Sequence, residues 1–355
     1  MKKKVLISTG GSGGHVFPAI AIYDHLKLNY EILISTDLRG SKYLNEENYN
    51  FIILNTPKLN NLFLMPFAIL KVVVLTIKSL TILKNENVSI LISTGGYMSL
   101  PLCLAAKILK IRMYLIEPNM VLGRANKFFL KFSKKLLCYS TDLINLPKKF
   151  KQKTTLIKPL IRKKYYEKNT KLKERNLFTI SIIGGSQGAA IFDKLINEII
   201  VRISKKYSLK IIHQTSKKNI QLLKNFYKEN KIENSVFIFN NNLNEQLLDC
   251  DLCITRAGAS SLAELSLMKI PFIAIPLPSS KDNHQFENAK FYEKKKCCWI
   301  FEQDSFDKQS FEELLIKILK KDNEYLMIKN NLEKLNYQNT WFNVNQNLLE
   351  IINEN

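Results

Sequence analysis

His15 closes the run Thr9-Gly-Gly-Ser12-Gly13-Gly14-His15. An unperturbed imidazole titrates near ~6.5, so a histidine at the end of a glycine turn can take or give a proton at neutral pH. The competing explanation is a helix-start histidine bonded to a backbone carbonyl. A second glycine turn, Gly184-Gly-Ser186-Gln187-Gly188, lies in the other half of the chain. Backbone N–H groups at a glycine turn that opens a helix suit an anion, such as a diphosphate, or a cluster of hydroxyls; the alternative is a tight structural turn. Farther on, Arg256-Ala-Gly258-Ala-Ser260-Ser261-Leu-Ala-Glu264 offers two hydroxyls at a helix start and then a carboxylate among apolar neighbours. The hydroxyls and N–H groups suit a diphosphate, and the carboxylate suits the paired hydroxyls of a ribose. In Asp282-Asn-His284-Gln285-Phe-Glu-Asn288, amide side chains supply both donors and acceptors for a polyhydroxylated ligand. His25 falls inside a helical pattern and reads as structural. His213 ends a strand and has a secondary claim to a site role.

These runs need elements to hold them. Val5-Leu-Ile-Ser-Thr9 reads as a strand that ends in the first glycine turn, and Phe178-Thr-Ile-Ser-Ile-Ile183 as a strand that ends in the second. A helical pattern follows each. Further strands are expected at 32–35, 51–54, 90–93, 113–116 and 136–139, then at 209–213, 236–239, 252–255, 272–275 and 299–301. Strands alternating with helices signal parallel α/β sheets, and the restart at Phe178 signals two Rossmann-like domains. The expected division is 1–160, with a C-terminal helix at 341–355 packing back onto it, and 161–340; the basic stretch Lys148 to Arg175 reads as the linker. Ligands of open α/β sheets bind at the carboxyl ends of strands, so paired domains are expected to face each other across a cleft. Neither turn spells G-x-G-x-x-G, because Val16 and Ser186 stand where glycine is required, and no Gly-Lys-Ser/Thr follows. A dehydrogenase and a P-loop nucleotidase are therefore disfavoured.

Taken in order, the first loop (9–19), Ser93-Thr-Gly95-Gly96-Tyr97-Met-Ser99-Leu-Pro101, Glu117-Pro-Asn119-Met-Val-Leu-Gly123-Arg-Ala-Asn126-Lys127 and the second-half loops resemble the MurG family of N-acetylglucosaminyltransferases over nearly the whole chain. The resemblance implies a GT-B fold and an inverting transfer. N-acetylglucosamine would pass from UDP-N-acetylglucosamine to the C4 hydroxyl of the N-acetylmuramyl pentapeptide on undecaprenyl diphosphate, converting lipid I to lipid II in peptidoglycan synthesis. It makes His15 the expected base. Ser12, Gly13, Gly14, Asn119, Arg162, Ser186, Gln187, Ser260, Ser261, Glu264, His284, Gln285 and Asn288 are the expected donor-binding residues, and Gly95, Gly96, Tyr97 and Asn126 are expected on the acceptor side. The family's Gly-Asn-Pro-x-Arg run appears here as Ile157-Lys-Pro159-Leu-Ile-Arg162, and its His-Glu-Gln-Asn as Ile116-Glu-Pro118-Asn119.

No cofactor or metal is expected. Asp249-Cys-Asp251 spells a metal signature of the other major glycosyltransferase fold, but it precedes an apolar strand, where a turn carboxylate is the simpler role; Arg256 and helix dipoles are expected to carry the leaving-group charge. Cys250 and Cys253 lack a second Cys or His pair, which argues against zinc. The six scattered cysteines point to buried thiols in a reducing cytoplasm.

A length of 355 residues fits two domains, and 46% apolar with 24% charged residues describes a folded chain. The net charge of +22 favours polyanions, anionic lipid or phosphorylated substrates, with a lysine-rich composition as the plain alternative. Residues Leu62 to Ile82 are strongly apolar, yet Pro66 and Lys71 interrupt them, and Lys71, Lys78 and Lys84 recur near helical spacing. An interfacial segment with one face in the core describes this pattern better than a spanning helix. The expected place is thus the cytoplasmic face of the cell membrane, peripherally bound to an anionic surface, with other cell-wall or division proteins as further partners. The rival readings are a transferase with another lipid acceptor, a UDP-N-acetylglucosamine 2-epimerase and, last, a nucleic-acid module, for which no recognised motif is present.

Overall fold

The computed structural model describes residues 2–44, 49–57, 65–167, 177–185, 190–238 and 242–354. The chain divides into unit 1, Met1–Lys163 with Thr340–Asn355, and unit 2, Lys164–Asn339. Ser186, Gln187 and the start of the apolar stretch at Leu62 lie outside the described residues.

Unit 1 runs β1 (Lys4–Ser8), α1 (Gly13–Leu26), β2 (Glu31–Thr36), β3 (Phe51–Ile53), α2 (Met65–Asn85), β4 (Val88–Ser93), α3 (Leu100–Ile108), β5 (Arg112–Glu117), α4 (Arg124–Phe129), β6 (Lys135–Cys138) and β7 (Thr154–Leu156). Its sheet has the order β3-β2-β1-β4-β5-β6-β7, and every pairing is parallel. Parallel strands are covered on both faces, which is why β1 reads as an unbroken aliphatic run. Leu6, Leu33, Leu91, Leu115 and Phe129 belong to its core. Each such side chain contributes about 1.5–3 kcal/mol through burial.

Unit 2 repeats the plan: β8 (Phe178–Ile183), α5 (Ile191–Ser204), β9 (Leu209–Gln214), α6 (Ile220–Glu229), β10 (Glu233–Phe237), α7 (Leu243–Leu247), β11 (Leu252–Thr255), α8 (Ala259–Leu267), β12 (Phe272–Ala274), α9 (His284–Glu293), β13 (Cys298–Ile300), α10 (Lys308–Leu319) and α11 (Asn323–Leu335). The order is β10-β9-β8-β11-β12-β13, again wholly parallel. Ile180, Ile182, Phe192, Ile254, Phe272 and Phe311 anchor its core. In both sheets the winding direction reverses beside the first strand, between β1 and β4 and between β8 and β11. Loops that diverge at such a point leave a crevice at the strands' carboxyl ends.

The last helix, α12 (Trp341–Asn353), belongs to unit 1. Thr340 caps it by accepting from the Asn343 N–H. The Trp341 ring stacks on His25 at 3.6 Å, Asn345 Nδ2 donates to the His25 carbonyl at 2.7 Å, and the Tyr30 hydroxyl donates to Asn353 at 2.6 Å. His25 is therefore a packing residue.

Two elements differ from the sequence expectation. The first part of Lys148 to Arg175 is not linker: residues 148–153 form a 3-10 turn, and β7 then pairs with β6. Three residues in a lysine-rich stretch carry too little pattern to announce a strand. On the other side, β10 starts at Glu233, not Val236, because its pairing with β9 opens at Glu233 opposite Lys210. A polar half-strand at a sheet edge is invisible to hydrophobic periodicity.

Candidate active site

In unit 1 the loops after β1, β2, β4 and β5 converge. Thr9 N donates to the Ser35 carbonyl at 2.9 Å and Thr94 N to the Ser8 carbonyl at 3.0 Å, so the three strand ends are tied together. Gly11 and Gly96 hold φ of +82° and +80°, which side chains with a Cβ rarely adopt. A Cβ on Gly96 would lie 2.9 Å from Met98 Cε and 3.6 Å from His15 Nε2.

His15 sits in the first turn of α1 and is partly buried. Its Nδ1 lies 2.7 Å from the Thr94 carbonyl oxygen. A carbonyl only accepts, so Nδ1 carries the hydrogen and the neutral ring keeps its lone pair on Nε2. Burial lowers the His15 pKa below its ordinary value, opposed by the Thr94 bond and the Asp37 charge. The carbonyl partner that sequence reasoning offered as the alternative to a base is thus present, and it is the contact that leaves Nε2 unprotonated.

Glu117, at the end of β5, is the hub of the loop over residues 117–126. Its Oε1 accepts from Asn119 N at 3.2 Å and Asn119 Nδ2 at 3.1 Å, and its Oε2 from Gly123 N at 2.7 Å and Asn126 Nδ2 at 3.0 Å. Burial raises its pKa, against the pull of these donors. Asn126 is buried beneath the Gly95 turn, where a Cβ on Gly95 would meet its amide nitrogen at 3.0 Å. Tyr97 lies at the surface of the same cluster and accepts a hydrogen bond from Arg39 Nη2. Asp37 and Arg39 were missed by sequence reasoning: an Asp-Leu-Arg after a strand resembles any polar turn. Asp37 Oδ1 accepts from the N–H of Gly11 at 2.8 Å and of Gly40 at 2.9 Å, so this side chain fixes the first glycine turn.

Arg162, expected among the donor ligands, is only 4% exposed in unit 1, with its guanidinium 3.9 Å over the Phe17 ring of α1. This cation–π contact ties Arg162 to α1.

In unit 2, α8 opens at the strand end of β11 without a side-chain cap. Ser260 Oγ is buried and has no hydrogen-bond partner among the described residues. A buried hydroxyl without a partner, beside the free N–H groups of a helix start, is arranged for an anion. Glu264 lies one turn on, buried in the same helix. Gln285 Oε1 accepts from Ala257 N at 3.2 Å and Leu277 N at 3.0 Å, and Asn288 Nδ2 donates to the Ala257 carbonyl at 3.1 Å. These two amides brace the loop that feeds α8. His284 is more exposed, its Nδ1 2.8 Å from the Lys281 carbonyl.

Arg256 departs from expectation. Its Nη1 donates to the Ile275 and Pro276 carbonyls at 3.1 Å each, and Nη2 to Gln303 Oε1 at 2.6 Å. A buried guanidinium so engaged clamps the loops after β11 and β12. His213 is fully buried, with Nδ1 2.7 Å from the Tyr227 hydroxyl and Nε2 3.2 Å from Asp193, so it supports α5 and α6 from within. Asp251 Oδ2 accepts from Thr179 N at 2.9 Å, a strand-tying role. All six cysteines are buried and free, and burial pushes the Cys250 thiol up to about 12.

Two parallel-sheet units with a glycine-turn histidine in one and an open helix start in the other define a GT-B glycosyltransferase, and comparison with known proteins agrees. Residues 5–138 match the glycosyltransferase family 28 N-terminal domain and residues 179–339 its C-terminal domain. The chain is 47% identical to the UDP-N-acetylglucosamine–N-acetylmuramyl-(pentapeptide) pyrophosphoryl-undecaprenol N-acetylglucosamine transferase of Pelagibacter ubique, covering 100% of both. It is 35% identical to the enzyme of the same name from Rickettsia bellii, over 89% of this chain and 91% of the relative. The crystal structure of Acinetobacter baumannii MurG superposes with a TM-score of 0.77 at 20% identity, over 99% of this chain and 100% of that one. The chain belongs to glycosyltransferase family 28 and, within it, to these N-acetylglucosamine transferases.

Proposed function

We propose that this chain transfers N-acetylglucosamine from UDP-N-acetylglucosamine to the C4 hydroxyl of the N-acetylmuramyl pentapeptide on undecaprenyl diphosphate, in the lipid I to lipid II step of peptidoglycan synthesis. The observation that carries the residue-level reading is the 2.7 Å bond between His15 Nδ1 and the Thr94 carbonyl. It leaves Nε2 to take the proton as the C4 oxygen bonds to the anomeric carbon. The bond from that carbon to the diphosphate oxygen breaks with inversion, and UDP departs with the electron pair.

Unit 2 serves the donor. The α8 start with Ser260 and Ser261 holds the diphosphate and stabilises the charge that develops on it. Glu264 accepts the ribose hydroxyls, and His284, Gln285 and Asn288 sit toward the transferred sugar while two of them brace the loop. Unit 1 serves the acceptor with Gly95, Gly96, Tyr97 and Asn126, while Asn119, held by the same Glu117, serves the donor. No metal enters this scheme.

The membrane reading rests on α2. It is a 21-residue helix containing an 18-residue stretch of mean hydropathy 1.9, long and apolar enough to cross a bilayer by length and composition. Yet Ala68, Val72, Thr76, Ser79 and Leu83 form a buried stripe along it, so this helix is a layer of the unit 1 fold. Phe67, Leu70, Val74 and Ile77 form a second, exposed stripe, with Phe67 73% exposed, and Lys71, Lys78 and Lys84 are exposed as well. An apolar stripe edged by lysines suits an anionic lipid surface, and it would hold the enzyme at the cytoplasmic face where its lipid acceptor resides.

The test is transfer of radiolabelled N-acetylglucosamine from its UDP donor to a lipid I analogue in the presence of EDTA. The expected result is labelled lipid product at an undiminished rate. Dependence on added Mg²⁺ or Mn²⁺ would refute the metal-free scheme, and epimerised or hydrolysed donor without lipid product would refute the acceptor assignment.

A further inference from the structure

Arg39 is an exposed cation that the scheme above leaves unused. Asp37 Oδ2 accepts from its Nε at 3.0 Å and its Nη2 at 2.8 Å, and Nη2 also donates to the Tyr97 hydroxyl, with the guanidinium carbon 5.7 Å from the Tyr97 ring centroid. Asp37 is in turn fixed by the Gly11 and Gly40 N–H groups. The head group is thus held by Asp37 and Tyr97 on the rim of two glycine turns. A Cβ on Gly11 would lie 3.4 Å from Arg39 Nη2 and 3.0 Å from Met98 Cε, and one on Gly96 would lie 2.9 Å from the same Met98 atom and 3.6 Å from His15 Nε2. Arg39 and His15 therefore flank one small surface made of Gly11, Gly96 and the Met98 thioether.

Among the described residues, the hydrogen bonds of Arg39 use Nε and Nη2 and leave Nη1 for a ligand. A planar guanidinium fixed in this way presents its remaining N–H groups with little entropy left to lose, and it matches phosphate oxygens better than a lysine would. The neighbouring helix start adds the same sign of potential, because Ser12 makes no side-chain cap on α1.

We propose that Arg39 binds the diphosphate of the lipid-linked acceptor and so sets the distance from the muramyl C4 hydroxyl to His15; this rests on the acceptor reading given above. Arg39 acts on binding and placement of the acceptor, while proton transfer stays with His15.

The experiment uses two soluble acceptor analogues with short lipid chains in neutral detergent, one with the natural diphosphate and one with an uncharged linker of similar length. Native chain, Arg39→Gln and Arg39→Lys are compared. Native protein is expected to prefer the diphosphate analogue by about tenfold or more in kcat/KM. Arg39→Gln should abolish most of that preference through the acceptor KM, with the donor KM unchanged within about twofold, and Arg39→Lys should restore part of it. An Arg39→Gln variant that keeps the native preference overturns the proposal. So does an equal loss on both analogues accompanied by a raised donor KM, which would mark a merely structural role. An effect confined to vesicles containing anionic phospholipid, and lost in neutral detergent, would assign Arg39 to headgroups and overturn it too. If the native chain transfers to neither analogue, it is the acceptor reading itself that fails.

Discussion

The two units share one plan and set different groups at its strand ends. In unit 1 the ends of β1, β2 and β5 carry ionisable groups (His15, Asp37, Arg39 and Glu117), each oriented by neighbours. In unit 2 the corresponding strand ends carry hydroxyls, amides and the Glu264 carboxylate, while Arg256 and His213 are turned to scaffolding. Arg256 is bound to two carbonyls and Gln303, and His213 is buried against Tyr227. Unit 1 thus gathers titratable groups at its strand ends, and unit 2 sets hydroxyls, amides and one carboxylate around an open helix start. A base must titrate near neutrality, so it needs a tuned charge. A leaving diphosphate is served by dipoles that are already in place and need no reorganisation.

Five predictions can break or sharpen that contrast. The largest effect belongs to His15→Ala, which should lower kcat by about 100-fold or more while leaving the donor KM unchanged within about twofold. The native rate should fall on the acid side with a midpoint below ~6.5, because burial lowers the His15 pKa and only the neutral ring can take a proton. Rate profiles from pH 5 to 8 measure this, and a limb above pH 7 would contradict it. Next comes Glu264→Ala, which should raise the donor KM by about 10- to 100-fold through lost charge-assisted bonds, with little change in the acceptor KM. Steady-state kinetics with each substrate varied separates these.

Smaller still, Leu70→Glu with Ile77→Glu should weaken binding to anionic vesicles by about tenfold in a sedimentation assay, with transfer in detergent preserved. Those side chains point away from the buried stripe of α2, so folding should survive. The smallest effect concerns stability. Burial lowers the His25 pKa to about 3, so below ~6.5 the unfolded chain takes up a proton that the folded chain refuses. The stability contributed by neutral His25 is complete above ~6.5 and is lost as pH falls toward about 3, at up to ~1.4 kcal/mol per pH unit. Thermal melts of native chain and His25→Phe between pH 7 and 5 should therefore diverge, with the native Tm falling more steeply.

The doubled α/β plan was legible because parallel strands are long aliphatic runs and both open into glycine turns. His15 was legible for its place at such a turn, and Ser260 and Glu264 for theirs on a helix start. What the sequence concealed depended on tertiary partners. Nothing local distinguishes Arg256, a clamp on carbonyls, from an anion-binding arginine. The burial of Arg162 over Phe17 and the grip of Asp37 on Gly11 join residues remote in the chain, and β7 is too short and too polar to carry a period.

The most direct test of the division of labour is calorimetric titration of UDP into native chain, His15→Ala and Glu264→Ala. The contrast between the units predicts that His15→Ala binds UDP within about twofold of native and that Glu264→Ala binds it about tenfold or more weakly. Equal weakening by both substitutions, or native affinity in Glu264→Ala, would contradict it.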